Sequence, residues 1–182
     1  MRRVATGLIV SLFALLQGVT PGVAQESQEG DPDRVPDTHR GFWFSGGLGG
    51  GWSEGEAGSA IYIRMGGTPS SRFLIGGEVV VWMDDTHART GRGNVTASGL
   101  WYPVYNESGN PGDDWFVKVG VGFANDDTGV GERDGLGLSF GTGYDFRLGN
   151  NFYLTPNVDF LLQVFEGSTE SAIVLTLGLG FH

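Results

Sequence analysis

The 182-residue sequence predicts an all-β fold, an eight-stranded antiparallel up-and-down transmembrane β-barrel. Three observations carry that prediction. The last stretch, Ser171 to His182, alternates large apolar residues with smaller ones and ends on an aromatic. Seven earlier stretches, all after Arg40, alternate in the same way and are separated by turn residues. The first 24 residues read as a secretory signal peptide.

In the closing stretch Ile173, Leu175, Leu177, Leu179 and Phe181 share one parity; Ala172, Val174, Thr176, Gly178 and Gly180 share the other. Successive side chains of a strand point to opposite faces, so the first set makes one apolar face. About 9–11 residues with one lipid-ready face is what a tilted strand needs to cross a bilayer.

At the other end Arg2 and Arg3 form a basic start, Leu8 to Leu16 an apolar centre, and Gly22-Val23-Ala24 a small-residue cleavage site. Removal of Met1 to Ala24 takes both arginines with it and moves the formal charge from −10 to −12. Gln25 to Arg40 is polar and acidic, contains Pro32 and Pro36, and offers almost nothing to bury. It is expected to be a flexible periplasmic leader.

The barrel domain is expected over residues 41–182. Its first strand, Gly41 to Trp52, carries Phe42, Phe44, Leu48 and Trp52 on one parity. The second, Ser59 to Gly66, carries Ile61, Ile63 and Met65; the third, Arg72 to Met83, carries Phe73, Ile75, Val79 and Val81. The fourth, Gly93 to Val104, has Val95, Ala97 and Trp101. The fifth, Asp114 to Ala124, runs through Trp115, Val117, Val119, Val121 and Phe123. The sixth, Gly135 to Leu148, has Leu136, Leu138, Phe140, Tyr144 and Phe146. The seventh, Asn151 to Phe165, has Phe152, Leu154, Val158, Phe160, Leu162 and Val164. Clusters of Gly, Asn, Asp, Ser and Pro between them supply turn chemistry. Outer loops are expected at Ser53–Gly58, Asp84–Arg92, Asn125–Asp134 and Glu166–Glu170. Pro156 lies in mid-strand, and a closed barrel has no edge to hide its missing N–H, so a bulge or break is expected there.

The opposite parity is rich in glycine and also holds Tyr62, Arg64, Glu78, Lys118, Asp145, Arg147, Asn157 and Asp159. Parity alone does not say which face is outside; the signal peptide and the aromatic ending place the polar face in the lumen. Arg64, Glu78, Lys118, Asp145, Arg147 and Asp159 then form a balanced set of three cations and three anions, expected as a lumen ion-pair network. Arg64 and Glu78 fall on adjacent strands and are expected to meet. Aromatics give a separate check. In an even-stranded barrel Phe42, Phe73, Trp115, Phe152, Trp101, Tyr144, Phe146 and Phe181 gather at one rim, as an interfacial belt requires.

Composition narrows the function. Cysteine is absent, which excludes disulfide scaffolds, thiolate metal sites and cysteine nucleophiles. The acidic charge speaks against nucleic acid as a partner. The 33 glycines show no three-residue period, which excludes collagen. His39, His87 and His182 have no Ser and acid at triad spacing, and no metal motif occurs, so neither catalysis, metal nor cofactor is expected. The acidic stretch Asn125–Asp134 is read as a solvated loop rather than a Ca²⁺ site.

The Gly-aromatic opening Gly41-Phe42-Trp43-Phe44-Ser45-Gly46-Gly47 and the alternating close through Phe181 resemble the small outer-membrane β-barrel family, the class of the outer membrane protein A and X barrels. The resemblance implies a monomer in the outer membrane with its N-terminus periplasmic, in contact with outer-membrane lipids and lipopolysaccharide. It also implies that Ile173, Leu175, Leu177, Leu179 and Phe181 are read by the barrel assembly machinery; here His182 follows the terminal aromatic. The function this favours is an envelope-integrity or surface-contact role. The alternatives are a soluble periplasmic lipocalin-like barrel with an apolar ligand, and a lipid-modifying outer-membrane enzyme, for which the sequence offers no nucleophile.

Overall fold

The computed structural model describes residues 41–84, 91–104, 114–127, 131–149 and 151–181. The expected signal peptide and leader, and all three histidines, lie outside the described residues. Nine extended segments follow in order: β1 (Gly41–Ser53), β2 (Glu56–Ser70), β3 (Phe73–Asp84), β4 (Gly91–Trp101), β5 (Trp115–Asp127), β6 (Glu132–Tyr144), β7 (Phe146–Arg147), β8 (Phe152–Phe165) and β9 (Ser168–Phe181). Each pairs antiparallel with its chain neighbour, except that both β6 and the short β7 pair with β8. β1 pairs with β9, so the sheet closes into an eight-stranded antiparallel barrel in which β6 and β7 share one strand position. Among the described residues there is no helix.

Two of the hairpins, β1–β2 and β8–β9, use two-residue turns. Glu54 and Gly55 alone separate β1 from β2, both with positive φ (53° and 91°), as a two-residue hairpin turn of matching twist requires. Glu166 and Gly167 join β8 to β9, with Gly167 at φ 83°. Between β2 and β3 the register shifts between Gly67 and Ser70, where Pro69 cannot donate to the ladder.

Several strands outrun their expected ends. β5 continues to Asp127 and β6 starts at Glu132, so most of the expected loop Asn125–Asp134 is paired strand. Arg92 likewise lies in β4, and Glu170 in β9. Side-chain polarity marked these as loop residues, but the backbone ladder is indifferent to polarity where strands emerge from the apolar zone.

The break expected at Pro156 falls on its partner. The β8–β9 ladder runs through Pro156↔Leu177 without a shift. The β6–β8 ladder stops at Gly143↔Asn157 and resumes as β7–β8 at Phe146↔Leu154. The missing donor is thus felt on the side of Tyr144 and Asp145, and the Asp145 N–H turns to the Asp114 carbonyl at 3.0 Å.

Burial is inverted relative to a soluble barrel. Phe44, Leu48, Ile63, Val119, Val121, Phe123, Phe160, Leu177 and Leu179 are exposed, while Lys118, Glu78, Arg64 and Asp159 are buried. The aromatic rim forms at the end holding the first and last strand ends: Phe42, Phe73, Trp101, Trp115, Phe146, Phe152 and Phe181 are all exposed there. Phe152 meets Phe181 edge-on at 5.6 Å between ring centroids. That rim is the terminal end of the barrel, and the opposite one is the loop end.

Inward glycines let the lumen close around bulky groups. A Cβ on Gly178 would lie 2.0 Å from the Tyr62 hydroxyl, and one on Gly47 2.6 Å from the Tyr62 ring. Tyr62 therefore fills the space that two glycines leave. Gly178→Ala is expected to cost about 1–3 kcal/mol by overpacking, whereas Gly77→Ala, with nothing within 4 Å of the new methyl, stays near neutral. Denaturant midpoints in detergent check the difference.

Candidate functional site

Inward residues stack into four layers from the loop end to the terminal end. Following β2 inward gives Ala60, Tyr62 and Arg64; β3 gives Trp82, Val80, Glu78 and Leu74; β5 gives Asp126, Ala124, Lys118 and Phe116. An ionic layer lies first. An apolar one follows, of Ala60, Tyr62, Val80, Trp82, Leu161, Ala172 and Val174. A charged layer comes next, and the terminal end is filled by Trp43, Leu74, Leu100, Tyr102 and Phe116.

The central charged layer is built on Lys118. Its ammonium pairs with Glu78 from β3 and with Asp159 from β8, the latter at 2.7 Å. All three side chains are essentially excluded from solvent. Such a group is tolerable only with partners in place, because desolvating a lone charge costs several kcal/mol. Arg64 stands directly opposite Glu78 in the β2–β3 register. Its Nη2 nevertheless donates to Asn157 Oδ1 at 2.9 Å, and its guanidinium lies over the Tyr62 and Phe116 rings at 4.8 and 5.1 Å. Two aromatic faces draw the planar cation across the lumen, and the expected Arg64–Glu78 partnership gives way to Lys118–Glu78. Asn157 also donates to the Tyr62 hydroxyl, which shares a hydrogen bond with Ser45.

Asp145 sits nearer the terminal end and accepts hydrogen bonds from Tyr102 (2.7 Å) and Thr155. Tyr102 lies just past the end of β4. Burial, then the Asp145 carboxylate, pushes its phenol well above the usual range, so it remains a donor. Arg147 is half-buried in β7 and its Nε donates to the Gly149 carbonyl at 3.0 Å. The structure thus gathers Arg64, Glu78, Lys118 and Asp159 in one layer, with Asp145 below and Arg147 at the terminal end. Ile173, Leu175, Leu177, Leu179 and Phe181 form an exposed apolar row on β9.

The ionic layer at the loop end was missing from the sequence reading. Arg92 pairs with Glu170 at 2.7 Å, with Glu54 at 3.2 Å and with Asp126 at 3.5 Å. Arg133 pairs with Glu170 at 2.6 Å and with Asp126. Arg92, Asp126, Arg133 and Glu170 therefore close a four-membered ring joining β4, β5 and β6 to β9 across the mouth. Ser53 accepts from Arg92, and Ser168 accepts from Arg133 at 3.0 Å. Each guanidinium also covers an aromatic face, Arg92 over Trp82 at 5.7 Å and Arg133 over Phe165 at 4.7 Å. Inward parity was the overlooked signal: Asp126 continues the face of Lys118, and Arg133 that of Ser139. Among the described residues no group of three acidic, His or Cys side chains is placed to hold a metal.

The chain is similar in structure to Neisserial surface protein A, with a TM-score of 0.58 over 77% of this chain and 96% of that one, at 13% identity. It is also similar to the N-terminal β-barrel domain of OprF from Pseudomonas aeruginosa, with a TM-score of 0.51 over 78% and 98% of the two chains, at 14% identity. The fold is that of a small outer-membrane β-barrel. No protein-family model and no curated sequence matches the chain. At such identity the likeness is one of architecture.

Proposed function

We propose that the mature chain is a monomeric outer-membrane barrel with a structural, non-catalytic role in the envelope, through membrane integrity or surface contact. The inverted burial carries this reading. A continuous apolar exterior ringed by aromatics at the terminal end needs lipid around it, and a soluble barrel with an apolar ligand needs the opposite distribution. The lumen supports a structural role, because Tyr62, Trp82, Leu161 and the Lys118 cluster fill it with side chains, as an eight-stranded interior allows. The terminal end faces the periplasm in this reading, the loop end faces outward, and outer-membrane lipids and lipopolysaccharide surround the wall.

Cell fractionation tests it. The chain is expected with the outer membrane, released by detergent and not by salt, and faster on a gel unboiled than boiled. Release in aqueous buffer with no heat-dependent shift overturns the reading. A second measurement concerns assembly, which this reading assigns to the β9 row. Phe181→Ala removes both the last outward ring and its contact with Phe152. It is expected to lower the yield of folded barrel in cells several-fold, while deletion of His182 leaves the yield nearly unchanged. Equal folded yields for Phe181→Ala and the unaltered chain overturn the assembly role.

A further inference from the structure

The outward face of β8 does not fix where it sits against β6. Val158, Phe160, Leu162 and Val164 are all apolar, and Leu136, Leu138 and Phe140 opposite them are apolar too. A slip of two residues keeps apolar groups outward and remakes the backbone ladder, so lipid and backbone are indifferent to it. Within the β8–β9 hairpin the two-residue turn at Glu166 and Gly167 holds the register. No such turn holds the two outer seams of that hairpin. The ladder to β6 is interrupted at Tyr144 and Asp145, and the partner on the other side, β1, is the first strand in chain order. We infer that a comb of buried polar side chains, Asn157, Asp159, Gln163 and Glu170, sets the register at which the β8–β9 hairpin closes the barrel.

Each tooth reaches past its neighbouring strands to a partner at its own level. Asn157 accepts from Arg64 of β2 at 2.9 Å and donates to the Tyr62 hydroxyl at 3.2 Å. Asp159 pairs with Lys118 of β5 at 2.7 Å. Gln163 donates to Asn94 Oδ1 of β4 at 2.7 Å. Glu170 pairs with Arg92 of β4 at 2.7 Å and with Arg133 of β6 at 2.6 Å. All four teeth are at most 8% exposed. Between Asp159 and Gln163 stands Leu161, in the apolar layer with Val80, Trp82 and Val174. The inward order along β8 is therefore polar, charged, apolar, polar, and it does not repeat. A two-residue slip of the hairpin brings Asp159 to the level of Leu161 in one direction and Gln163 in the other. Either slip puts a polar group among apolar side chains, separates Asp159 from Lys118 and moves Glu170 away from both arginines. A buried polar or charged group without its partner is costly, and fixing register is the best-attested use of such groups.

The sequence contains no cysteine, so an introduced pair forms the sole disulfide. Leu138 and Leu162 stand opposite each other on the lipid face of β6 and β8, and directly opposed positions lie within disulfide reach. Leu138→Cys with Leu162→Cys reports the native register. Leu138→Cys with Phe160→Cys, or with Val164→Cys, reports the two slips. Each pair is placed in the full chain, refolded in lipid vesicles, oxidised and read by peptide mass. Crosslinking reports the register of any folded barrel, whatever its place in the cell. With the comb unaltered, the native pair is expected to crosslink at least tenfold more than either slipped pair. Lys118→Met, Glu78→Gln and Asp159→Leu, combined with Asn94→Leu and Gln163→Leu, remove two teeth together with their partners. This variant is expected to raise the slipped crosslinks at least tenfold. Leu74→Ala, which opens a cavity at the terminal end without touching the comb, is expected to lower stability and leave the slipped crosslinks unchanged. Slipped crosslinks equal to native ones in the unaltered comb overturn the inference. So does a folded comb variant with no rise, or an equal rise for Leu74→Ala. Should the combined variant fail to fold, Asn94→Leu with Gln163→Leu alone, which removes no charge, decides by the same three pairs, with a rise of at least threefold expected.

Discussion

Lys118→Met is expected to destabilise the barrel by about 3–5 kcal/mol, the range for leaving a buried ion pair with one partner removed. The ammonium is the shared counter-charge of Glu78 and Asp159, and its loss leaves two carboxylates facing each other out of reach of water. Methionine keeps most of the stem's volume, so the loss reports charge rather than a cavity. Double-mutant cycles read by denaturant unfolding in lipid vesicles assign the coupling. Lys118→Met with Glu78→Gln is expected to cost well below the sum of the single losses. Arg64→Met with Glu78→Gln is expected to be much closer to additive, because Arg64 is held by Asn157 and two aromatic rings despite its position opposite Glu78. Additive losses for Lys118 and Glu78, with strong coupling for Arg64 and Glu78, would reverse the assignment.

Val119→Arg is expected to cost about 2–4 kcal/mol in lipid, the cost of a guanidinium facing hydrocarbon near the bilayer midplane. Val119 is mid-strand in β5, 55% exposed, and flanked by Gly99 on β4 and Phe140 on β6. The neighbouring inward glycine is a poor control, because a Cβ on Gly120 would lie 2.4 Å from Ser139 Oγ and 2.9 Å from Thr96 Oγ1. Gly77→Ala, with open space around the added methyl, and Val119→Ala are the proper comparisons. Unfolding in vesicles measures the difference. A Val119→Arg barrel as stable as the Val119→Ala barrel would mean that this face does not meet lipid.

The alternation of β5 and β9 was legible because period-two patterning is a local property: Val117, Val119, Val121 and Phe123 declare one face whatever they pack against. The aromatic rim was legible for a related reason, since strand ends recur at fixed places once the strand number is even. Strand ends were harder. Arg92, Asp126, Arg133 and Glu170 carry the composition of loops, and only the ladders through Arg92↔Asp126 and Asp126↔Arg133 show them as strand residues aimed into the mouth. Pro156 shows the same limit. Its missing donor was evident, but which neighbouring strand lost the bond depended on which side of β8 faces β6 and β7.

By itself the sequence determined the barrel, its strand number and the division of each strand into an apolar and a polar face, because these follow from the parity of side chains along a strand; it marked Arg64, Glu78, Lys118 and Asp159 as inward charges but not Arg92, Asp126, Arg133 and Glu170. The tertiary structure alone decided which of those charges are partners. Closing the sheet brings β5 between the side chains of β3 and β8, so Lys118 reaches Glu78 and Asp159. It likewise brings β9 across the mouth from β4 and β6, so Glu170 bridges Arg92 and Arg133. Pairing across a lumen depends on stagger, closure and side-chain reach, and none of these is encoded in the spacing of residues along one strand.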